Sequence, residues 1–381
     1  MVKVKNCVSP PSTVRKGLFL IVCFLLPILT PTAVAWNPDG FLSQEIIGGE
    51  RLRLGDEFGC HGIPGKDIRS DTEAISECRD YLMSQINASK WGDAPLSFGL
   101  PEGDIGADVE QVLLGNGFRI VGDQSDTDRN SLIWNLNRSG GSLEKNVASI
   151  TEIEAAVEEN GFVNMYWEAE IGDLNVRRDR DVLNWIETQP FWFTTWGEWY
   201  SSTHPVEEVD RTNRTVILKG TAARLGAWDV PGNSIVHLSS GTITSIERID
   251  GGSLTELTSD ERHLMEGYRL LDNNSVAITV NEGANIQITW SGDDADVEII
   301  EGTFNNLTPF MAVGHHTIDL FEWSSPFMES PLRFTWLIEP KPEVGDSWIL
   351  PLLAIVIAIV APMAIYHTIN QEKKDREKAA S

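Results

Sequence analysis

The sequence is poor in basic residues. Its 381 residues include 30 lysines and arginines against 56 aspartates and glutamates, which gives a formal net charge of −26. The acidic excess lies between residues 36 and 344, because residues 1–35 carry only basic groups and residues 345–381 carry equal numbers of each sign. Such a surface repels a phosphate backbone, so we exclude nucleic acid as a partner.

Cysteine is also scarce, with four residues in the whole chain. Cys7 and Cys23 lie in the N-terminal segment, which leaves Cys60 and Cys78 as one even pair. In an exported protein such a pair predicts a disulfide between Cys60 and Cys78. The alternative is that Cys60 is a metal thiolate beside His61, which is less frequent outside the cell.

Long apolar runs occur at the two ends of the chain. At the N-terminus, four basic residues precede the apolar stretch 18–29, and Ala33-Val34-Ala35 supplies the small residues of a cleavage site. This order is typical of a secretion signal, so residues 1–35 are predicted to be a signal peptide.

The C-terminal run, residues 348–368, carries no formal charge. At helical rise it would extend about 30 Å, the thickness of a hydrocarbon core. The basic residues of 369–381 follow it, and basic residues mark the cytoplasmic side. The pattern predicts a transmembrane helix over 348–368, a cytoplasmic tail over 369–381, and a single-pass protein of the cell membrane with its ectodomain outside.

The predicted ectodomain contains glycosylation sequons of the form Asn-x-Ser/Thr. They are compatible with an exported surface glycoprotein. The asparagines are Asn87, Asn137, Asn213, Asn273 and Asn306.

Residues 36–200 alternate predicted strands and helices. Residues 95–123 give strand, helix and strand, with Asn116-Gly117 ending the helix. A second unit begins at Thr151 and ends its helix at Asn160-Gly161 in the same way. Repeated units of this kind predict a parallel sheet or barrel.

Residues 201–344 contain short β runs separated by Gly-, Asn- and Asp-rich turns, which predicts a β-sandwich. His315-His316 lies in this segment. No cysteine or histidine stands at ligand spacing from the pair, so a strand or turn pair is the preferred interpretation over a metal site.

The predicted strand 162–171 has one apolar face and one polar face. Its polar face includes Glu168 and Glu170, towards the carboxyl end of the strand. α/β sheets and barrels bind their ligands at that end, so Glu168 and Glu170 are candidate catalytic residues. The alternative is an edge strand with a solvated face, and both interpretations stay open.

Four segments, in their order along the chain, resemble the polysaccharide deacetylase (NodB-homology) family. They are residues 57–62, residues 98–103 with the helix that follows, residues 162–167 and residues 192–198. The resemblance implies a (β/α) barrel, here shortened at its start. It also implies a divalent metal such as zinc, which activates water against an acetyl group on carbohydrate.

The resemblance places His61 at the first metal-binding histidine. Pro38-Asp39-Gly40 is a faint echo of the family's Asp-Asp-Gly segment, which makes Asp39 the second candidate metal ligand. The family pattern is incomplete, because Gly65 stands where another histidine is expected and Trp167-Glu168 replaces the late histidine.

The predicted fold is therefore an incomplete deacetylase-like α/β barrel (36–200), a β-sandwich (201–344) and a transmembrane helix. Three functions remain open. The preferred one is a membrane-anchored extracellular protein that binds cell-surface carbohydrate without full catalytic machinery. The alternatives are a divergent metal-dependent carbohydrate deacetylase and a structural cell-envelope protein.

Overall fold

The computed structural model of the protein describes residues 46–101, 103–123, 133–168, 177–223 and 228–340. Near the C-terminus it also describes residues 355, 357–363, 365–367 and 369–370, which are helical. The chain divides into two units, Met1–Lys341 and Pro342–Ser381. All the elements named below belong to the first unit.

The helices of this unit are α1 (Ile46–Leu54), α2 (Glu73–Gln85), α3 (Gly106–Gly115), α4 (Ile150–Asn160), α5 (Arg180–Thr188), α6 (Trp196–Ser202) and α7 (Leu320–Ser324). The strands before the β-rich segment are β1 (Glu57–Cys60), β2 (Ser97–Leu100), β3 (Ile120–Asp123), β4 (Trp134–Asn137), β5 (Val163–Trp167) and β6 (Phe191–Thr194). The strands of that segment are β7 (Glu207–Thr212), β8 (Thr215–Lys219), β9 (Gly232–Leu238), β10 (Thr242–Arg248), β11 (Gly267–Leu270), β12 (Ser275–Val280), β13 (Asn285–Ser291) and β14 (Val297–Glu301). Two more follow, β15 (Thr308–Thr317) and β16 (Phe334–Ile338).

Eight strands form one parallel sheet. Seven of them lie in the order β4-β3-β2-β1-β16-β15-β5, and β6 also pairs with β15. The chain after β4 returns to β5, where Ser139 N donates to Asn164 O at 3.0 Å and Leu143 N donates to Tyr166 O at 2.8 Å. The sheet is therefore a nearly closed parallel α/β barrel.

The helix after β4 shows why these units form. Ser149 caps α4 by accepting a hydrogen bond from Glu152 N, and Gly161 ends the helix at φ 73°. A left-handed φ favours glycine at this position. Ile153 and Ala156 are buried, so α4 packs one apolar face onto the barrel as its spacing predicts.

The barrel has apolar packing on both faces of its strands, as parallel sheets require. Phe58, Phe98 and Trp336 belong to the cluster that joins strands and helices. Trp196 belongs to a second cluster, together with Leu337 of β16. The Trp196 ring lies against Gly122 of β3, and its Nε1 donates to Asn164 Oδ1 at 2.8 Å.

Eight antiparallel strands separate α6 from β15. They form two four-stranded sheets, in the orders β10-β13-β8-β7 and β11-β12-β9-β14. Val216 of β8 and Ile286 of β13 share one apolar cluster with Val236 of β9 and Val276 of β12. The two sheets therefore face each other as a β-sandwich, inserted in sequence into the barrel.

The order of the strands differs from the sequence prediction. That prediction places residues 308–338 in the β-sandwich of 201–344, yet β15 and β16 are central strands of the barrel. The barrel looks incomplete from residues 36–200 alone because strands that complete it follow the insertion.

The predicted fold class and location need a second correction. In the part of the chain that the structure describes, no helix is long and apolar enough to cross a membrane. A bilayer span requires about 20 consecutive apolar residues. The predictions of a transmembrane helix over 348–368, of a membrane partner and of a single-pass cell-membrane location are therefore wrong. Residues 1–35, predicted as a signal peptide, lie outside the described residues.

Glu57, at the start of β1, ties four parts of the barrel together. Its carboxyl group accepts hydrogen bonds from the Ser97 hydroxyl, from Gly197 N at 2.7 Å and from the Thr335 hydroxyl at 3.2 Å. Burial raises the pKa of Glu57, and these hydrogen bonds oppose that rise only in part. Ionising Glu57 therefore costs free energy in the folded state.

We expect Glu57→Gln to gain stability relative to the unmodified protein as pH rises. Because the folded-state pKa is raised, the contribution of Glu57 is fully present below the unfolded pKa and is lost as pH rises through the folded pKa. Each unit by which the pKa of a group differs between the folded and unfolded states changes the free energy of unfolding by about 1.4 kcal/mol at most. Urea unfolding between about pH 4 and pH 8 measures the difference, with the exposed Glu154→Gln as the matched control. A difference for Glu57→Gln that does not change with pH would contradict the prediction.

Candidate metal centre

Three neighbouring strands of the barrel bring polar side chains together where they end. His61 directly follows β1, His315 and His316 lie near the end of β15, and Glu339 directly follows β16. These strands lie in the order β1-β16-β15 and are parallel, so their carboxyl ends meet at one rim. Parallel barrels place their functional residues on this face.

An irregularity in β15 brings both of its histidines to the rim. Gly314 pairs with Trp336 and Thr317 with Ile338, so β15 carries one extra residue at this point. Neighbouring residues of a regular strand point to opposite faces, and a bulge breaks that alternation. His316 takes a left-handed φ of 48°, and the ring centroids of His315 and His316 lie 3.9 Å apart. Unfavourable backbone conformations of this kind cluster at functional sites.

Glu339 contacts two of the three imidazoles. Its Oε1 lies 2.6 Å from His316 Nδ1 and 3.2 Å from His61 Nδ1. An ionised carboxylate only accepts hydrogen bonds, so both Nδ1 atoms donate to it. In the neutral imidazoles the lone pair then lies on Nε2, which is the atom left to bind a metal.

The ionisation of Glu339 follows from its neighbours. Burial acts to raise the pKa of Glu339, but the hydrogen bonds from His316 and His61, together with the charges on those rings, outweigh burial and lower the pKa to about 2. The carboxylate is therefore charged throughout the physiological range and able to orient the rings.

His61, His315 and His316 form a group that fits one metal ion. Each offers one nitrogen, and these atoms all lie within 4.8 Å of one another. Two nitrogens bound to one zinc ion at about 2.0–2.1 Å cannot be more than about 4.2 Å apart, so small ring rotations suffice. The side chain of His61 is 4% exposed and that of His316 is 47% exposed, so the group is open to solvent on the His316 side.

Gly99 of β2 makes room for the first imidazole. A methyl group at this position would lie 2.2 Å from His61 Cδ2 and 2.8 Å from His61 Nε2. No side chain fits at such distances, so the position of the His61 ring depends on the absence of a Cβ on the neighbouring strand.

A cavity of about 360 Å³ adjoins the cluster. Its apolar wall includes Ile63, Ile68 and Phe98, and His61, His316 and Glu339 form a polar edge. Small-molecule sites typically combine an apolar wall with a few converging polar groups. The cavity is large enough for a small organic group next to the histidines.

The structure brings one of the four candidate site residues into this centre. His61 belongs to it, whereas Asp39 and Glu170 lie outside the described residues. Glu168 follows β5 and therefore lies on the same face of the barrel, but it pairs with Arg138. The catalytic role of Glu168 stays a prediction.

Cys60 and Cys78 are both buried and both carry free thiols in the structure. They are neighbours: burial raises the pKa of the Cys60 thiol, and a hydrogen bond with Cys78 adds to the rise. Their pairing as a disulfide stays a prediction.

The glycosylation prediction concerns five asparagines that the structure describes. All of them are exposed, as an attached glycan would require: Asn87, Asn137, Asn213, Asn273 and Asn306. Their modification stays a prediction.

Sequence reasoning missed His315, His316 and Glu339. Spacing along the chain argues against the histidine pair as a metal site because no partner stands nearby in sequence, yet its partner His61 is on another strand of the barrel. A usable signal was present for Glu339, since it directly follows an apolar strand-like run, Phe334 to Ile338.

Comparisons with known proteins add little to this geometry. No protein-family model and no curated protein matches the chain. Among solved structures, an archaeal chitinase in the ligand-free form is similar to part of it, with 20% identity and a TM-score of 0.15. The match covers 25% of this chain and 21% of the chitinase chain, so this chain spans about a fifth of that protein. A TM-score this low supports no inference about activity, and the polysaccharide deacetylase resemblance gains no support from these comparisons.

We expect Gly99→Ala to destabilise the protein and to disturb the metal centre. The added methyl group must displace the His61 ring or the neighbouring Leu337, and overpacking of this kind costs about 1–3 kcal/mol. Chemical denaturation measures the stability change. Gly115→Ala on α3 is the matched control, because no heavy atom lies within 4 Å of its added Cβ. Equal stability of both variants would show that Gly99 is not needed for the His61 position.

Proposed function

We propose that the protein is a metal-dependent hydrolase whose active centre lies at the carboxyl rim of the barrel. His61, His315 and His316 hold a divalent ion, for which zinc is the best match, and Glu339 orients His61 and His316. The single observation that carries the proposal is the convergence of three imidazoles within 4.8 Å on parallel strands, backed by a charged carboxylate.

The donor set supports zinc and hydrolysis for two reasons. Catalytic zinc sites use three protein ligands, often histidines, and leave one coordination position for water or substrate. A bound zinc ion lowers the pKa of its water and polarises a carbonyl group, so it favours attack of water on esters and amides. The exposed side of His316 and the adjoining cavity supply access for such a substrate.

The residues of this chain have separate tasks in the proposal. Glu339 fixes the tautomer and orientation of His61 and His316, as carboxylates behind metal-bound histidines do. Gly99 leaves space for the His61 ring, and the apolar wall of Ile63, Ile68 and Phe98 excludes water from one side of the cavity.

We propose acetyl groups on carbohydrate as the substrate class, on the strength of the sequence resemblance alone. The three-histidine group favours the alternative of a divergent metal-dependent deacetylase over carbohydrate binding without catalysis, because a binding protein has no need of three converging imidazoles. A cavity of about 360 Å³ suits a small acyl group with part of the sugar that carries it.

Metal analysis tests the centre directly. We expect the purified protein to bind one zinc ion, to be stabilised by zinc against heat, and to lose that stabilisation with a chelator. His316→Ala should abolish binding, whereas His237→Ala, on β9 of the sandwich, should leave it unchanged. Glu339→Gln should weaken binding by about 10- to 100-fold, since it removes the carboxylate that orients two ligands. Absence of bound zinc, cobalt or nickel in the unmodified protein would refute the proposal.

Acetate release tests the reaction. We expect the zinc-loaded protein to release acetate from acetylated chito-oligosaccharides or from p-nitrophenyl acetate, and His316→Ala to fall to the background rate. Release from the simple ester without release from the glycan would reject carbohydrate as the substrate and keep the hydrolase. Zinc binding without release from either substrate would reject hydrolysis of acetyl groups.

A further inference from the structure

A second cavity, of about 570 Å³, lies on the same face of the barrel and shares no lining residue with the cavity beside His61. Three connections form it: Lys145 and Asn146 after β4, Arg177 to Asp181 after β5, and Pro326 after β15. Backbone hydrogen bonds join the first two connections, because Lys145 N donates to Arg177 O at 2.6 Å and Asp179 N donates to Leu143 O at 2.9 Å.

The cavity is basic although the protein is strongly acidic. Lys145, Arg177, Arg178 and Arg180 line it, against Asp179 and Asp181. The Asp179 carboxylate is engaged at the start of α5, where it accepts hydrogen bonds from Asp181 N and Val182 N, both at 3.1 Å. The basic side chains of the wall therefore outnumber the acidic ones by two, in a protein whose net charge is −26.

Arg178 is the arginine of this wall with an unpartnered buried nitrogen. Its Nε is shielded from solvent and has no hydrogen-bond partner among the described residues, and its guanidinium carbon lies 6.0 Å from the centre of the Phe327 ring. Burial lowers the pKa of Arg178 and the charge of Arg180 adds to this effect, while the carboxylates of Glu329 and Glu187 act in the opposite direction. A cation in these surroundings gains free energy when an anion binds beside it.

We propose that this cavity binds a tetrahedral oxyanion, the phosphate or sulfate group of a small ester. Guanidinium groups bind such oxyanions through paired hydrogen bonds, and Lys145 adds a mobile positive charge. The start of α5 adds the positive end of a helix dipole. The volume exceeds what the anion needs, so it leaves room for the organic part of the ester. This site is independent of the metal centre.

Calorimetric titration of the full chain with inorganic phosphate, and separately with sulfate, tests the proposal at an ionic strength held constant with sodium chloride. We expect saturable binding of one anion per chain. Arg178→Gln should weaken it at least about tenfold, because a charge-assisted hydrogen bond and a charge are lost. Arg178→Lys should give an intermediate affinity. Arg53→Gln, which removes an exposed arginine of α1, should bind like the unmodified protein.

The outcomes separate the two sources of the anion. Tighter binding of phosphate assigns the site to phosphate esters, tighter binding of sulfate assigns it to sulfate esters, and equal binding assigns it to tetrahedral oxyanions in general. Near-ultraviolet circular dichroism reports whether Arg178→Gln folds. If it does not fold, Lys145→Gln replaces it in the test, because this variant changes an exposed side chain of the same cavity. Absence of saturable binding of either anion, or binding unchanged in both Arg178→Gln and Lys145→Gln, overturns the proposal.

Discussion

The pairing of β16 between β1 and β15 is the constraint on which the candidate centre depends. Cys60 pairs with Ile338, and Ile338 pairs with Thr317, so the ends of the three strands are aligned. His61 and Glu339 each directly follow one of these paired residues. A shift of one residue in the register would turn the side chains of a strand to its opposite face and separate them. The centre is therefore a direct consequence of how the barrel closes.

The inserted β-sandwich explains how a nearly closed barrel coexists with such an interrupted sequence. Its two sheets share an apolar cluster of their own, so the insertion supplies its own hydrophobic core. The cost of closing a loop grows only slowly with its length, so a long inserted segment is compatible with the pairing of β15 and β16 against earlier strands. The penalty is kinetic, because the histidine cluster requires contacts between residues far apart in sequence, and such contacts form slowly.

Local signals predicted the parts of the barrel that depend on local interactions. The helix over 150–160, with its glycine end, follows from a 3.6-residue period and a left-handed cap that short stretches of sequence reveal. The parallel arrangement followed from strand and helix alternation. The assignment of 308–338 failed because β15 and β16 look like sandwich strands in isolation, and only their partners distinguish them. The transmembrane prediction was wrong because no helix of the described residues is long and apolar enough to cross a membrane, and an uncharged run does not by itself set the length of a helix.

The candidate site was harder to predict for a related reason. His61 was found through family resemblance, but its partners lie on strands that no local rule connects to it. The bulge at His315 and His316 also has no sequence signature, since it arises from pairing with β16. Glu339 was within reach, because a charged residue directly after a buried strand is a usual position for function in a parallel barrel.

The two ends of the barrel use buried carboxylates in opposite ways. At the amino ends of the strands, Glu57 has hydroxyl and amide donors around it, and burial raises its pKa. Asp56 lies beside it and accepts hydrogen bonds from Arg51 Nε at 2.5 Å and from Trp336 Nε1 at 2.7 Å, which fixes β1 against β16. At the carboxyl ends, two imidazoles lower the pKa of Glu339. Around Glu57, neutral donors hold strands together, whereas in the proposed centre the charged carboxylate of Glu339 orients two imidazoles for a cation. The neighbours of each carboxylate therefore decide the direction of its pKa shift.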